Sequence, residues 1–213
     1  MTLKKSILAN ALAVAGALIA GAAVAAPLQA LPGATFGGTG IPNDAVAVST
    51  AGNVTLGLTA HQRYDNPPLT NDGNGTFRAW AGQSNPQPGY PVAAPLSRWN
   101  VGYAILGDAE LNDYLYQFIY DTDPTANNSA SVFNIVFGAS AAQDSWNLGM
   151  AHFNFPGFDA NAAGTYDFAL VALDQAGAVA ARSDIRVNIP EPASLALVGI
   201  ALAGLAAVRR RKA

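Results

Sequence analysis

Residues 112–120 read Asn-Asp-Tyr-Leu-Tyr-Gln-Phe-Ile-Tyr, with Tyr114, Tyr116, Phe118 and Tyr120 alternating against Asp113, Leu115, Gln117 and Ile119. Alternation with period two puts one set of side chains on each face of an extended chain, so the stretch predicts a β-strand. Ser131 to Phe137 continues the pattern, with Val132, Asn134 and Val136 opposite Phe133, Ile135 and Phe137. Between them, Asp121-Thr122-Asp123-Pro124-Thr125-Ala126-Asn127-Asn128 supplies turn formers, so the two strands are expected to pair antiparallel.

The same reading extends outward. Further strands are expected at 45–49, 54–60, 76–81, 101–106, 148–153, 165–173 and 178–187, about nine in all. Tyr166, Phe168, Leu170 and Ala172 share one face, and Asp174-Gln175-Ala176-Gly177 turns the chain into Val179, Ala181 and Ile185 to Val187, predicting a terminal hairpin. No stretch of the body carries helical spacing free of Gly, Pro or β-branched residues. The expected fold class is all-β: a single β-sandwich of jelly-roll type, with a barrel as the competing closure. Residues 66–96 break the rhythm with Pro67, Pro68, Pro86, Pro88, Pro91 and Pro95. They are expected to form a long surface loop region, either a contact surface or a tolerated insertion.

The two ends have a different composition. Lys4 and Lys5 precede an uncharged apolar stretch from Ile7 to about Ala26, and Ala23 and Ala25 satisfy the small-x-small rule. Residues 1–25 are therefore expected to be a helical signal peptide cleaved after Ala25. At the other end, Pro190-Glu191-Pro192 precedes an apolar run from Ala193 to Val208 and the basic cluster Arg209, Arg210, Arg211 and Lys212. Two prolines hold the motif extended, in the shape a protease subsite grips. The 16 apolar residues would rise about 24 Å as a helix, slightly short of a hydrocarbon core of about 30 Å, with snorkelling arginines making up the difference. The basic cluster is expected to stay cytoplasmic, leaving the body outside.

Once the ends are set aside, residues 26–189 carry five arginines, no lysine and thirteen acids, a net charge of −8. Such a surface repels phosphate backbones, which argues against nucleic acid as a partner, and none is expected. The chain has no cysteine, so packing replaces disulfides and no thiolate chemistry is available. About 164 residues suffice for one domain with a sizeable core.

The tail resembles the PEP-CTERM sorting signal of Gram-negative bacteria, on Pro190, Glu191 and Pro192, the apolar run 193–208 and the basic cluster 209–212. The resemblance covers residues 190–213 plus the generic leader. It implies an exosortase as partner, a membrane-embedded enzyme that processes the chain at or near the motif, and transient contact with the inner membrane. It further implies export, and a cell-surface or extracellular role in exopolysaccharide or biofilm. It assigns no activity to residues 26–189.

Candidate chemistry in that body is sparse. His61 and His152 are far apart in sequence and read as structural histidines. Asp121 and Asp123, with Asn127 and Asn128 nearby, form a calcium candidate on oxygen-ligand grounds. An EF-hand needs Gly and Glu where Ala126 and Val132 stand, and an Asp-Pro turn is the ordinary use of such residues. No other cofactor is expected. Asp108, Glu110 and Asp113 could pair as glycosidase carboxylates or serve as exposed loop acids. No G-x-S-x-G serine occurs. Trp80, Tyr90 and Trp99, with Tyr103 beyond them, lie in or beside the proline-rich region. They are candidates for stacking on carbohydrate, with core packing as the alternative. The stretch from Trp146 to Phe158 reads as buried packing around Pro156-Gly157. The expected role is a non-catalytic structural or adhesive matrix protein. The alternative is a carbohydrate-binding module or hydrolase acting on exopolysaccharide.

Overall fold

The computed structural model describes residues 27–63, 68–83, 96–107, 113–121, 123–125, 131–135, 142–150 and 158–191. Eleven strands lie among them: β1 (Leu28–Gln29), β2 (Val46–Ala51), β3 (Val54–Gln62), β4 (Thr70–Asn71), β5 (Thr76–Arg78), β6 (Trp99–Leu106), β7 (Leu115–Tyr120), β8 (Ser131–Ile135), β9 (Gln143–Trp146), β10 (Gly164–Leu173) and β11 (Val179–Ile189). They form two sheets, one ordered β1-β2-β3-β6-β9 and the other β4-β5-β11-β10-β7-β8. The chain is all-β over these residues.

Both predicted pairs are present. Strands β7 and β8 pair antiparallel with Phe118 opposite Phe133, and β10 and β11 form a hairpin from Gly164↔Ile189 to Leu173↔Val179. Asp174 closes that hairpin, its Oδ1 accepting the Ala176 and Ala178 N–H groups at 2.8 Å each. This is the local bonding that makes Asp a turn residue. The expected number of strands was about nine, and eleven is the correction. Two-residue β1 and β4 are too short to leave a periodic signal. Of the strand expected at 148–153, residues 148–149 are turn and 150 is not strand, while 151–153 lie outside the described residues; a strand precedes them, as β9. Gln143-Asp144-Ser145-Trp146 pairs with β6 by backbone register rather than by apolar alternation.

The two sheets share one core. Leu56, Leu58 and Ala60 of β3 and Trp99, Val101, Tyr103 and Ile105 of β6 meet Tyr116 and Phe118 of β7, Tyr166, Phe168 and Leu170 of β10, and Ile185, Val187 and Ile189 of β11. Ring contacts cross between the sheets: Trp99 lies 5.9 Å from Tyr166 and 6.0 Å from Phe168, and Phe118 lies 4.9 Å from Trp146. The contacts of Trp99 with Phe168 and of Phe118 with Trp146 are edge-to-face, and that of Trp99 with Tyr166 is tilted, all within the range of favourable aromatic packing.

Both outer faces carry apolar residues as well. Leu31, Ala34, Phe36 and Ile41, from the segment before β2, pack on Val46, Val48, Ala104 and Leu106 of the first sheet. Phe36 is buried at a positive φ of 48°, and Gln143 Oε1 accepts the Thr35 and Phe36 N–H groups at 2.7 and 3.1 Å. On the second sheet, Ile119, Ala169, Val171 and Leu173 form a separate buried cluster. This explains why Leu170 to Leu173 reads as a continuous apolar run, the pattern of a strand buried on both faces.

One pairing departs from the antiparallel rule. β5 runs parallel to β11, with Arg78 opposite Asn188 and the Ala79 N–H bonded to Asn188 O at 3.0 Å. The two strands therefore leave the sheet side by side and in the same direction.

Among the described residues no helix is long and apolar enough to cross a membrane. The expected end helices, residues 1–25 and 193–208, lie outside them, as do Val136, Phe137 and most of the proline-rich region beyond Gln83.

Candidate functional site

The sorting motif grows directly out of the last strand. Ile189 ends β11 with its side chain in the core, and Pro190 and Glu191 follow as exposed residues. β11 is held on both sides up to that point, by β5 at Asn188 and by β10 at Ile189. No linker separates body from motif. Pro192, Arg209, Arg210, Arg211 and Lys212 lie outside the described residues.

The candidates inside the body scatter. Trp80 is 51% exposed, whereas Trp99 is 1% exposed and sits at the centre of the inter-sheet core. Its candidacy as a sugar platform is thereby corrected: Trp99, Val101, Tyr103 and Ile105 occupy alternate positions of β6 and all face inward. Burial, reinforced by Asp144, pushes the Tyr103 hydroxyl up to about 12, consistent with a core position. Tyr90, Asp108, Glu110 and His152 lie outside the described residues, and Asp113 is exposed.

Asp121 and Asp123 form consecutive turns. Asp121 Oδ1 accepts the Asp123 N–H and Asp123 Oδ1 accepts the Thr125 N–H, each at 2.9 Å. The Thr125 bond holds the Asp123 carboxyl below its ordinary range. Asn127 and Asn128 lie outside the described residues. Among those described, no three His, Asp or Glu side chains converge as metal ligands. One oxygen from each aspartate is committed to shaping the turn, the ordinary use of an Asp-x-Asp-Pro sequence.

The sequence reading missed a buried polar network on the first sheet, built around His61. His61 of β3 is 1% exposed. Its Nδ1 lies 3.0 Å from Gln62 O and its Nε2 2.8 Å from Ser145 Oγ of β9. A carbonyl can only accept, so Nδ1 carries the proton and Nε2 accepts from the serine hydroxyl. Asn100 Nδ2 donates to the same Ser145 Oγ at 3.0 Å, and Asn147 Nδ2 donates to Asn100 Oδ1 at 2.8 Å. Asn147 is fully buried and also bonds Ser97 N, Gly149 N, Ser97 O and Trp99 O. The order serine, histidine, carbonyl resembles a nucleophile with its base. The Ser145 N–H, however, is turned to Asp144 Oδ1 at 2.7 Å rather than beside the hydroxyl, where it would receive an oxyanion. The geometry is that of a satisfied buried histidine. A usable signal was Asn147 between Trp146 and Leu148, a strongly polar side chain in an apolar setting.

A hollow of about 590 Å³ opens between residues 32 and 43, lined by Pro, Ala, Thr, Gly, Ile and Asn residues with no charge among them.

An all-β body whose last strand runs without a spacer into an exposed Pro-Glu step has the layout of a cargo with a terminal sorting tag. The model of the PEP-CTERM protein-sorting motif matches residues 188–212, beginning inside β11. The chain carries that motif, which implies processing by an exosortase and export to the cell envelope or surface. No curated protein and no solved structure matches the chain.

Proposed function

We propose that residues 26–189 form a β-sandwich of jelly-roll type that serves, without catalysis or cofactor, as a structural or adhesive module in exopolysaccharide or biofilm. The signal peptide carries it across the inner membrane. The run 193–208 holds it there transiently as a transmembrane anchor, and exosortase processing leaves it at the cell surface or outside. The observation that carries this reading is the direct junction of β11 and the sorting motif, which makes the two-sheet body the delivered part. The interior use of Trp99, Tyr103, Trp146, Tyr166 and Phe168 supports a packing role for most of its aromatics.

The second reading, a carbohydrate-binding module or hydrolase acting on exopolysaccharide, draws on the exposure of Trp80. Mature protein recovered from the matrix tests the choice. It is expected to fractionate with exopolysaccharide and to release no reducing ends from it. Release of reducing ends would establish a hydrolase and overturn the structural role.

A further inference from the structure

The parallel register of β5 and β11 fixes what stands beside the emerging tail. Arg78 is opposite Asn188 and the Ala79 N–H bonds Asn188 O; continuing that register two residues beyond the paired segment brings Trp80 beside Pro190, the first residue of the motif. From Pro190 to Ala193, where the apolar run begins, three residues span at most about 11 Å. The headgroup layer on each side of a bilayer is itself about 5–8 Å deep. With 193–208 in the bilayer, the indole, 51% exposed, would be carried to the depth at which tryptophan is enriched at membrane interfaces.

Two of the body's five arginines lie toward the same end. Of its five arginines, Arg182 and Arg186 are tied to Asp184 and Asp167. Arg78 and Arg98 are exposed and unpaired among the described residues. Arg78 lies on the Trp80 side of β5, one pleat back. Arg98 borders the same turn, its Cδ 3.5 Å from where a Cβ on Gly82 would stand. In a body of net charge −8, these two exposed arginines thus border the exposed tryptophan. Among the described residues, Glu191 follows Pro190 directly and Asp159 precedes Ala160, whose carbonyl accepts the Gly82 N–H, so the indole and the arginines have to reach phosphate past these two acids.

We propose that Trp80, with Arg78 and Arg98, docks this end of the body onto the headgroups of the inner membrane's outer leaflet while the tail is uncut. The proposal rests on the reading of 193–208 as a membrane segment. Docking would present the motif at the membrane surface, where a membrane-embedded enzyme can reach it although no linker is available. Once the tether is cut, a single weak contact does not hold a protein on a bilayer, as for anchors that need two signals, and the body leaves.

The full chain, reconstituted into phosphatidylethanolamine–phosphatidylglycerol vesicles brominated near the headgroup, tests this. Trp99 and Trp146 are buried, so bromine is expected to quench Trp80 emission, and Trp80→Phe to abolish the quenching. Replacing Arg78 or Arg98 with Gln is expected to lower the docked-to-undocked ratio about fivefold each. A chain that floats with the vesicles but shows no bromine quenching overturns the docking and leaves the membrane tail standing. A chain that does not float overturns the tail reading and the docking with it. Trp80 that is shielded by exopolysaccharide and untouched by lipid belongs to the sugar instead.

Discussion

The ring of Phe36 rests on the Cα of Gly102: a Cβ at residue 102 would stand 3.0 Å from Phe36 Cδ1 and 3.1 Å from Thr59 Cγ2. The covering segment before β2 can reach the sheet only because β6 offers no side chain there. Gly102→Val is expected to lift Phe36 and destabilise the protein by about 1–3 kcal/mol, the range for overpacking. A urea melt checks it, and Phe36→Ala in the same background should make the valine nearly neutral.

Asn147 joins Ser97, Trp99, Asn100 and Gly149 through hydrogen bonds of 2.8–3.1 Å. Removing it leaves the buried Ser97 N–H unpaired and frees Asn100 to turn away from Ser145. Asn147→Ala is expected to cost about 2–4 kcal/mol, since each stranded buried group costs about 1–3 kcal/mol. Hydrogen exchange at Ser97 should accelerate in the variant.

His61 gives a pH dependence with a definite sign. Burial pushes its pKa below the ordinary value, partly opposed by the Gln62 carbonyl. Below about 6.5 the unfolded chain binds a proton that the folded chain refuses. The histidine's contribution to stability is thus complete above that pH and is lost as pH falls toward the folded value, at up to about 1.4 kcal/mol per unit. Urea melts between pH 7.5 and 5 should show this slope, and His61→Gln should remove it while other groups keep titrating.

The fixed φ of proline favours an extended motif, so Pro190→Ala with Pro192→Ala is expected to leave an unprocessed, tail-bearing species in the cell. Neutral residues in place of Arg209 to Lys212 should instead disturb tail orientation or sorting, visible as a changed distribution among cell fractions.

Much of the fold was legible because period-two alternation is a strong signal where one face is buried. Tyr116, Phe118 and Tyr120, and Tyr166, Phe168 and Leu170, all face the core as their spacing says. It failed where pairing rests on backbone and polar side chains. Gln143-Asp144-Ser145-Trp146 carries one core residue, Trp146, and its other side chains bond Phe36 N, Trp146 Nε1 and His61. Nothing in the local sequence names those partners. The proline-rich neighbourhood of Trp99 points outward, whereas the alternation Trp99, Val101, Tyr103, Ile105 marks it as inward. The sorting motif was fully legible because its order is linear. The level placement of Trp80 and Pro190 was not, because it depends on a parallel pairing between residues about 110 positions apart.

The central claim is that both end segments are delivery elements and the two-sheet body is what remains outside the inner membrane. The intact mass of the protein recovered from the exterior of its native cell tests this most directly. The expected mass lacks residues 1–25 and everything beyond the processing point at or near 190–192. A full-length mass that includes Lys4 and Arg211, from protein found in the cytosol, would contradict it.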